Sequence, residues 1–363
     1  MTKLKDKIKK IVRPDIRVLQ AYGVADPGDL IKLDAMENPY SWPDDLKNDW
    51  LETLRAVDVN RYPDPASRNL KTCLREAMAV PDGQEILLGN GSDELIQMVL
   101  MALALPDAKV MAPVPTFVMY GLIAGFCGME FIGVPLQMQD FGLDMEAMRS
   151  AIREHQPAVI FLAYPNNPTG NLFNREHIET LLDSTEGLVV IDEAYHAFAG
   201  ATFMDELGKR DNLLVMRTVS KLGLAGLRLG VLAGPADWLI EFDKVRLPYN
   251  INSLTQASAG FALCNRRFLD EQTQNIQTER QSLMESLTAM PGIRVWPSDA
   301  NFILFRPEQL SADQVFDGLR SAGILVKNLD KSNPALRGCL RVTVGTPEEN
   351  AAFLSALQKL LTG

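Results

Sequence analysis

A two-unit α/β fold is predicted by three observations: a large domain with a mostly parallel central sheet flanked by helices, then a smaller C-terminal α+β domain. From about residue 84, short apolar runs alternate with helical patterns, as repeated strand-helix-strand units require. Several of these runs end in polar residues, and in open α/β sheets ligands gather beyond the carboxyl ends of the strands. After residue 250 the pattern changes to one long polar-rich helix, short strands and capped helices. At 363 residues the chain can hold about two domains, each burying a core of its own.

Residues 1–30 read as an N-terminal arm. Lys3, Lys5, Lys7, Lys9 and Lys10 crowd its start with no apolar run behind them, so a solvated helix is expected rather than a secretory signal or membrane span. The large domain is placed at 31–250, with strands over 85–88, 109–112, 129–134, 158–163, 188–191, 213–218 and 230–233. Between them, 95–105 is an apolar helix, and 143–153 repeats Met145, Met148 and Ile152 at helical spacing. Asn174 is placed to cap a helix carrying Ile178, Leu181 and Leu182. The smaller domain, 251–363, has a helix over 266–290 striped by Leu269, Ile276, Leu283 and Leu287 and stopped by Pro291-Gly292. Ser311 with Gln314, and Thr346 with Glu349, form capping boxes, the second with Pro347 at the first helical position. Strands over 301–306 and 339–344 complete the unit.

With 47% hydrophobic and 23% charged residues the chain has a globular composition. Its formal net charge of −10 argues against nucleic acid or an anionic membrane as the main partner, since both demand a basic face. A cytoplasmic enzyme acting on small molecules fits better. Cys73, Cys127, Cys264 and Cys339 are widely spaced, with no nearby histidines to complete a metal site, and read as reduced thiols. His155, His177 and His196 read as structural or solvent-facing.

The stretch from Asn212 to Gly230 carries the strongest chemical signal. Lys221 follows an apolar strand and stands between a hydroxyl, Ser220, and small or apolar residues, surroundings that lower an amine's pKa and let it attack a carbonyl as a neutral nucleophile. Seven positions later Arg228 offers a cation to an anionic group. Asp192 closes the strand 188–191, where a carboxylate can pair with a protonated ring nitrogen; capping or ion pairing is the plainer alternative. In Tyr164-Pro-Asn-Asn-Pro-Thr-Gly170 the prolines stiffen a turn that can aim Asn167 at a phenolate oxygen of a bound ring, and Tyr195, three residues after Asp192, can donate to the same oxygen; an ordinary turn and a core tyrosine are the plainer alternatives. Gly91, Ser92 and Asp93 lie between a strand and an apolar helix, where free amides can meet a phosphate. Phe117 could stack on a flat ring or simply fill the core. Arg341, a charge inside an apolar strand, needs either a substrate carboxylate or an internal partner.

Together these residues resemble the fold-type I pyridoxal-phosphate-dependent aminotransferases, and within class II most resemble the histidinol-phosphate aminotransferase family. The likeness runs from Leu33-Asp-Ala-Met-Glu-Asn-Pro-Tyr40 through Arg61-Tyr62-Pro63, Gly89–Asp93, Tyr164–Gly170, Val190–Tyr195 and Ser220–Gly230 to Leu340–Gly345. It implies that Lys221 is the Schiff-base lysine and proton shuttle, that Asp192 pairs with the pyridine nitrogen, and that Asn167 and Tyr195 hold the phenolate oxygen while Phe117 stacks on the ring. Gly91, Ser92, Asp93, Ser220 and Arg228 would hold the phosphate, with Tyr62 supplied by the second subunit of a homodimer whose sites are shared. Arg341 and Lys327 would bind the substrate's acidic groups, and Tyr22 and Asn38 would line the mouth. The implied reaction takes an amino group from L-histidinol phosphate and passes it to 2-oxoglutarate, a step in histidine biosynthesis. Two departures bear on the substrate: Met36 stands where the family has an asparagine, and Lys327 where relatives often carry an arginine, which keeps charge but loses the planar fork. An aromatic amino acid is therefore an alternative donor. Threonine-phosphate decarboxylation and a non-catalytic, cofactor-binding regulatory role share much of the same pattern.

Overall fold

The computed structural model describes residues 2–21, 23 and 25–362, so Tyr22, expected at the mouth of the site, lies outside the described residues. After the arm and a two-residue strand, β1 (Ile31–Lys32), the large sheet is built from β2 (Glu85–Asn90), β3 (Lys109–Val114), β4 (Glu130–Pro135), β5 (Val159–Ala163), β6 (Leu188–Asp192), β7 (Leu213–Thr218) and β8 (Leu229–Gly234). Their order across the sheet is β2-β8-β7-β6-β5-β3-β4, and every pairing is parallel except the two made by β8.

The strands are near-continuous apolar runs because both faces of the sheet are covered. Side chains alternate between the faces, so one run feeds two cores. In β5, Ile160 and Leu162 join the core shared with Leu74, Met148 and Ile178, which come from the helices Arg68–Ala77, Met145–His155 and Arg175–Ser184. Val159 and Phe161 join the opposite core with Leu95, Ile123 and Phe242, from Ser92–Leu103, Met119–Phe126 and Ala236–Asp243.

The first of those helices begins at Ser92, three residues before its apolar pattern does. Asp93 and Glu94 fill its first turn, where negative side chains meet the positive end of the helix dipole. Asn174 caps its helix by accepting the His177 amide at 3.3 Å, and both capping boxes form, at Ser311/Gln314 and at Thr346/Glu349.

The remaining strands are β9 (Ile293–Val295), β10 (Phe302–Pro307), β11 (Ile324–Leu325), β12 (Lys327–Asn328) and β13 (Leu340–Thr343); the order β12-β13-β10-β9 makes an antiparallel sheet. Two features differ from a division at 31 and 250. β1 pairs in parallel with β11, and Leu33 enters the C-terminal core, so the segment that follows the arm is built into the small unit. Helix Ser253–Cys264 goes the other way: Ala259, Ala262 and Leu263 pack into the core of the large sheet. The long helix Arg267–Thr288 then crosses between units, with Leu269 in the large core and Ile276, Leu283 and Leu287 in the small one. The arm forms helices Thr2–Ile11 and Pro14–Arg17, and Arg13 ties it down by donating to the carbonyls of Phe126 at 2.9 Å and Gly125 at 3.0 Å. No helix among the described residues is long and apolar enough to cross a membrane.

Candidate active site

The carboxyl ends of β2, β3, β5, β6 and β7 lie along one edge of the sheet, and antiparallel β8 begins there. Each end contributes to one cavity. Ser92 and Asp93 come from the first turn of the helix after β2, Phe117 from the turn after β3, and Asn167 from that after β5. Asp192 ends β6 and Tyr195 follows it, Ser220 and Lys221 follow β7, and Arg228 precedes β8. Thr218, the last residue of β7, also lines the cavity and was not singled out by the sequence, because a threonine in a β-strand is unremarkable.

Lys221 sits in a single tight turn, Ser220–Leu222. Its Nζ donates to the Ala35 carbonyl at 3.2 Å and lies 5.8 Å from the centre of the Tyr195 ring. Burial lowers its pKa to about 8; Arg341 and Arg228 push the same way, against Glu37 and Asp93. The turn is braced from behind by Asn38, which donates to Gln272 Oε1 at 3.0 Å and to the Leu222 carbonyl at 3.4 Å. These contacts turn the Asn38 amide toward the lysine's support, and it is not among the residues lining the cavity.

Asp192 is buried, which raises its pKa to about 6. Two donors pull the other way: the Tyr120 hydroxyl, 2.6 Å from Oδ2, and the Ala194 amide, 3.1 Å from Oδ1. Across the cavity, Asn167 is oriented at both ends, since its Oδ1 accepts from Arg341 Nη1 at 2.6 Å and its Nδ2 donates to Tyr195 Oη at 3.2 Å. Tyr195 is buried, which raises its pKa. Its phenol therefore holds its proton near neutral pH and can give it to an acceptor in the cavity. Arg341 is itself buried, with Nη2 donating to the Asp34 carbonyl at 2.9 Å.

At the far end, Gly91 (φ 82°) caps helix Ser92–Leu103, and Arg228 folds over it. A Cβ on Gly91 would lie 2.6 Å from Arg228 Nη2, and one on Gly230 would lie 2.6 Å from the Gly91 carbonyl carbon. Both glycines thus exist to let backbone and guanidinium close on a small space. Arg228 reaches Asp93 at 3.7 Å, Ser220 Oγ accepts from the Thr218 hydroxyl at 2.9 Å, and Asp93 Oδ1 is buried without a partner. Gly230→Ala is expected to force the two strands apart here and to weaken binding of inorganic phosphate or a phosphorylated cofactor at least about tenfold, measured by calorimetry.

A second cavity adjoins the first behind Phe117. Leu122, Phe131, Leu329 and Leu336 form apolar walls, and Lys327 and Arg341 stand at one side. Those two cations are directly opposed in the antiparallel pairing of β12 and β13. Tyr62 is placed elsewhere: it is 80% exposed and stacks on Tyr249 with ring centres 4.3 Å apart.

The sequence pattern described as aminotransferase class I and II matches residues 28–357. The chain belongs to this aminotransferase family. Among its relatives, histidinol-phosphate aminotransferase 2 of Nitrosococcus oceani is 56% identical over 354 residues, covering 98% of each chain. Histidinol-phosphate aminotransferase 2 of Cupriavidus pinatubonensis is 53% identical, covering 96% of each. The crystal structure of histidinol-phosphate aminotransferase from Clostridium acetobutylicum is similar with a TM-score of 0.83 at 25% identity, over 91% of this chain and 99% of that one. The same fold is seen, at a TM-score of 0.84 and 22% identity over 97% of each chain, in histidinol-phosphate aminotransferase from Sinorhizobium meliloti in complex with pyridoxal-5'-phosphate.

The aminotransferase cavity fits pyridoxal phosphate on its own chemistry. It offers an amine of lowered pKa at Lys221, an ionisable carboxylate at Asp192, an aromatic face at Phe117, and a glycine-walled anion cradle under Arg228.

Proposed function

We propose that this chain transfers the amino group of L-histidinol phosphate to 2-oxoglutarate, giving imidazole acetol phosphate and L-glutamate, with pyridoxal phosphate as cofactor. The observation that carries the reaction type is the meeting of Lys221, Asp192 and Arg228 in one cavity at the carboxyl edge of the sheet. Identity of 56% along nearly the whole length supports the choice of donor. When bound, the cofactor supplies an aldehyde carbon and an electron-accepting ring.

In this reading Lys221 holds the cofactor through Nζ and later moves a proton at the substrate's α-carbon as general base and acid. Asp192 is the counter-ion for a protonated ring nitrogen. Asn167 and Tyr195 donate to the ring oxygen, and Phe117 covers the ring face. Ser92, Asp93, Ser220, Arg228 and the backbone at Gly91 form the phosphate end, with Thr218 orienting Ser220. The second cavity receives the rest of the donor: its apolar walls suit a flat imidazole, and the paired Lys327 and Arg341 suit an anion. Tyr62, exposed on its own subunit, is assigned to the neighbouring site of a homodimer.

Apolar walls beside two cations also suit an aromatic amino acid, so the deciding measurement is kcat/KM with 2-oxoglutarate as acceptor. L-Histidinol phosphate is expected to exceed phenylalanine and tyrosine by at least about a hundredfold, because a dianionic phosphate gains stronger charge-assisted bonds beside Lys327 and Arg341 than a carboxylate does. A higher value for phenylalanine would overturn the substrate assignment. Carbon dioxide released from threonine phosphate without any keto acid would overturn the reaction itself.

A further inference from the structure

We infer that Tyr120 is a positioning residue that keeps the Asp192 carboxylate ionised and aimed, and couples it to the Phe117 face, so that the ring nitrogen meets its counter-ion where the ring is held. The inference rests on the pyridoxal phosphate reading above. Tyr120 is wholly buried in the first turn of helix Met119–Phe126, one turn beyond Phe117. Its ring is fixed on two sides: it stacks on Phe161 of β5, with centres 4.7 Å apart and planes at 11°, and meets Phe117 edge-on at 5.5 Å. Its amide donates to the Phe117 carbonyl at 3.3 Å, which ties the two residues through the backbone as well as through their rings.

The phenol has one proton to give, and Asp192 Oδ2 lies 2.6 Å away. A hydroxyl donating to a carboxylate is a charge-assisted bond that favours the ionised form over the neutral acid. That matters here because burial, Asp93 and Glu193 all work against ionisation of Asp192, with the Tyr120 hydroxyl and the Ala194 amide opposing them. A neutral Asp192 could not serve as counter-ion to a protonated nitrogen. Tyr120 thus does more than satisfy a buried hydroxyl: the same ring that fixes the aromatic wall also sets the charge of the carboxylate at the other end of the ring site.

The test uses the holoenzyme loaded with pyridoxal phosphate labelled with nitrogen-15 in the ring, comparing wild type with Tyr120→Phe, which removes the hydroxyl and keeps the ring stack. The wild-type nitrogen signal is expected at the protonated position and that of Tyr120→Phe displaced toward the unprotonated one. Alongside this, kcat should fall about tenfold, as one unit of pKa mismatch implies, while KM stays within about twofold. A protonated signal and unchanged kcat in Tyr120→Phe would overturn the role of Tyr120 while leaving the cofactor reading in place. A wild-type chain that takes up no pyridoxal phosphate would sink that reading and this one with it. Phe161→Leu loosens the ring stack without touching the hydroxyl and should leave the nitrogen signal at its wild-type position. If it moves the signal as far as Tyr120→Phe does, packing rather than the hydrogen bond is responsible and the inference fails.

Discussion

Lys221→Ala is expected to lower transamination by at least about a thousandfold, since in the proposed reaction it removes both the amine that would hold the cofactor and the base that would move the substrate proton. Lys221→Arg should be nearly as inactive: a guanidinium stays protonated at every working pH, so charge alone does not substitute for a basic amine. The pKa of about 8 gives a second readout in the cofactor-free protein. Only the neutral amine attacks an aldehyde, so the rate of cofactor capture should rise with pH and level off above about 8, where an ordinary lysine would still be climbing toward 10.5. The same shift has a sign for stability. The folded protein binds this proton less tightly than the unfolded chain, so the cost of holding a charged Nζ in the site is fully present below about pH 8 and disappears as pH rises toward 10.5. At pH 7 the cofactor-free Lys221→Met variant is therefore expected to be more stable than wild type by roughly 2 kcal/mol, in denaturant unfolding. A rate that climbs unchanged through pH 10, or a Met variant less stable than wild type, would contradict the lowered pKa.

Much of this site was legible because its residues fall just beyond apolar strands, a position local pattern can find. Asp192, Asn167 and Lys221 each follow such a run, and the sheet carries them to one edge. What escaped the sequence depends on partners far along the chain. Tyr120 lies in the apolar helix Met119–Phe126, and its acceptor lies 72 positions later. Asn38 was expected to line the mouth, but its contact with Gln272 spans 234 positions, and no local pattern predicts it. The unit boundary is hard to place from sequence for a related reason. A change of sequence style near residue 250 is real, yet a helix with one continuous apolar stripe can give its first turns to one core and the rest to another, as Arg267–Thr288 does. Likewise β1 is only two residues long, and its partner is β11, so neither length nor composition announces which unit it joins.

Arg217→Met should produce the largest loss of stability of any single change considered, about 3–5 kcal/mol in denaturant unfolding. Arg217 lies inside β7, where the apolar pattern predicts a strand and gives no reason for a cation. Its side chain is 7% exposed and that of its partner, Glu193, is fully buried. The guanidinium makes bonds to Glu193 Oε2 at 2.9 Å, to the Met78 carbonyl at 2.9 Å and to the Thr202 hydroxyl at 2.8 Å. Glu193 also accepts from the Thr202 hydroxyl and from the Phe203 amide. Every member of this group is thus satisfied, which is the condition under which a buried pair is tolerated. Removing the arginine leaves the buried Glu193 carboxylate without its counter-ion. The penalty arises from the group left behind, so Arg217→Met combined with Glu193→Gln should recover a substantial part of the loss, and the two changes should be strongly non-additive. Glu193 follows Asp192 directly in the chain, so the single variant should also disturb the carboxylate at the end of β6 and lower kcat, with activity returning together with stability in the double variant. If instead the double variant is no more stable than Arg217→Met, the loss lies in the bonds to Met78 and Thr202 rather than in the uncompensated charge.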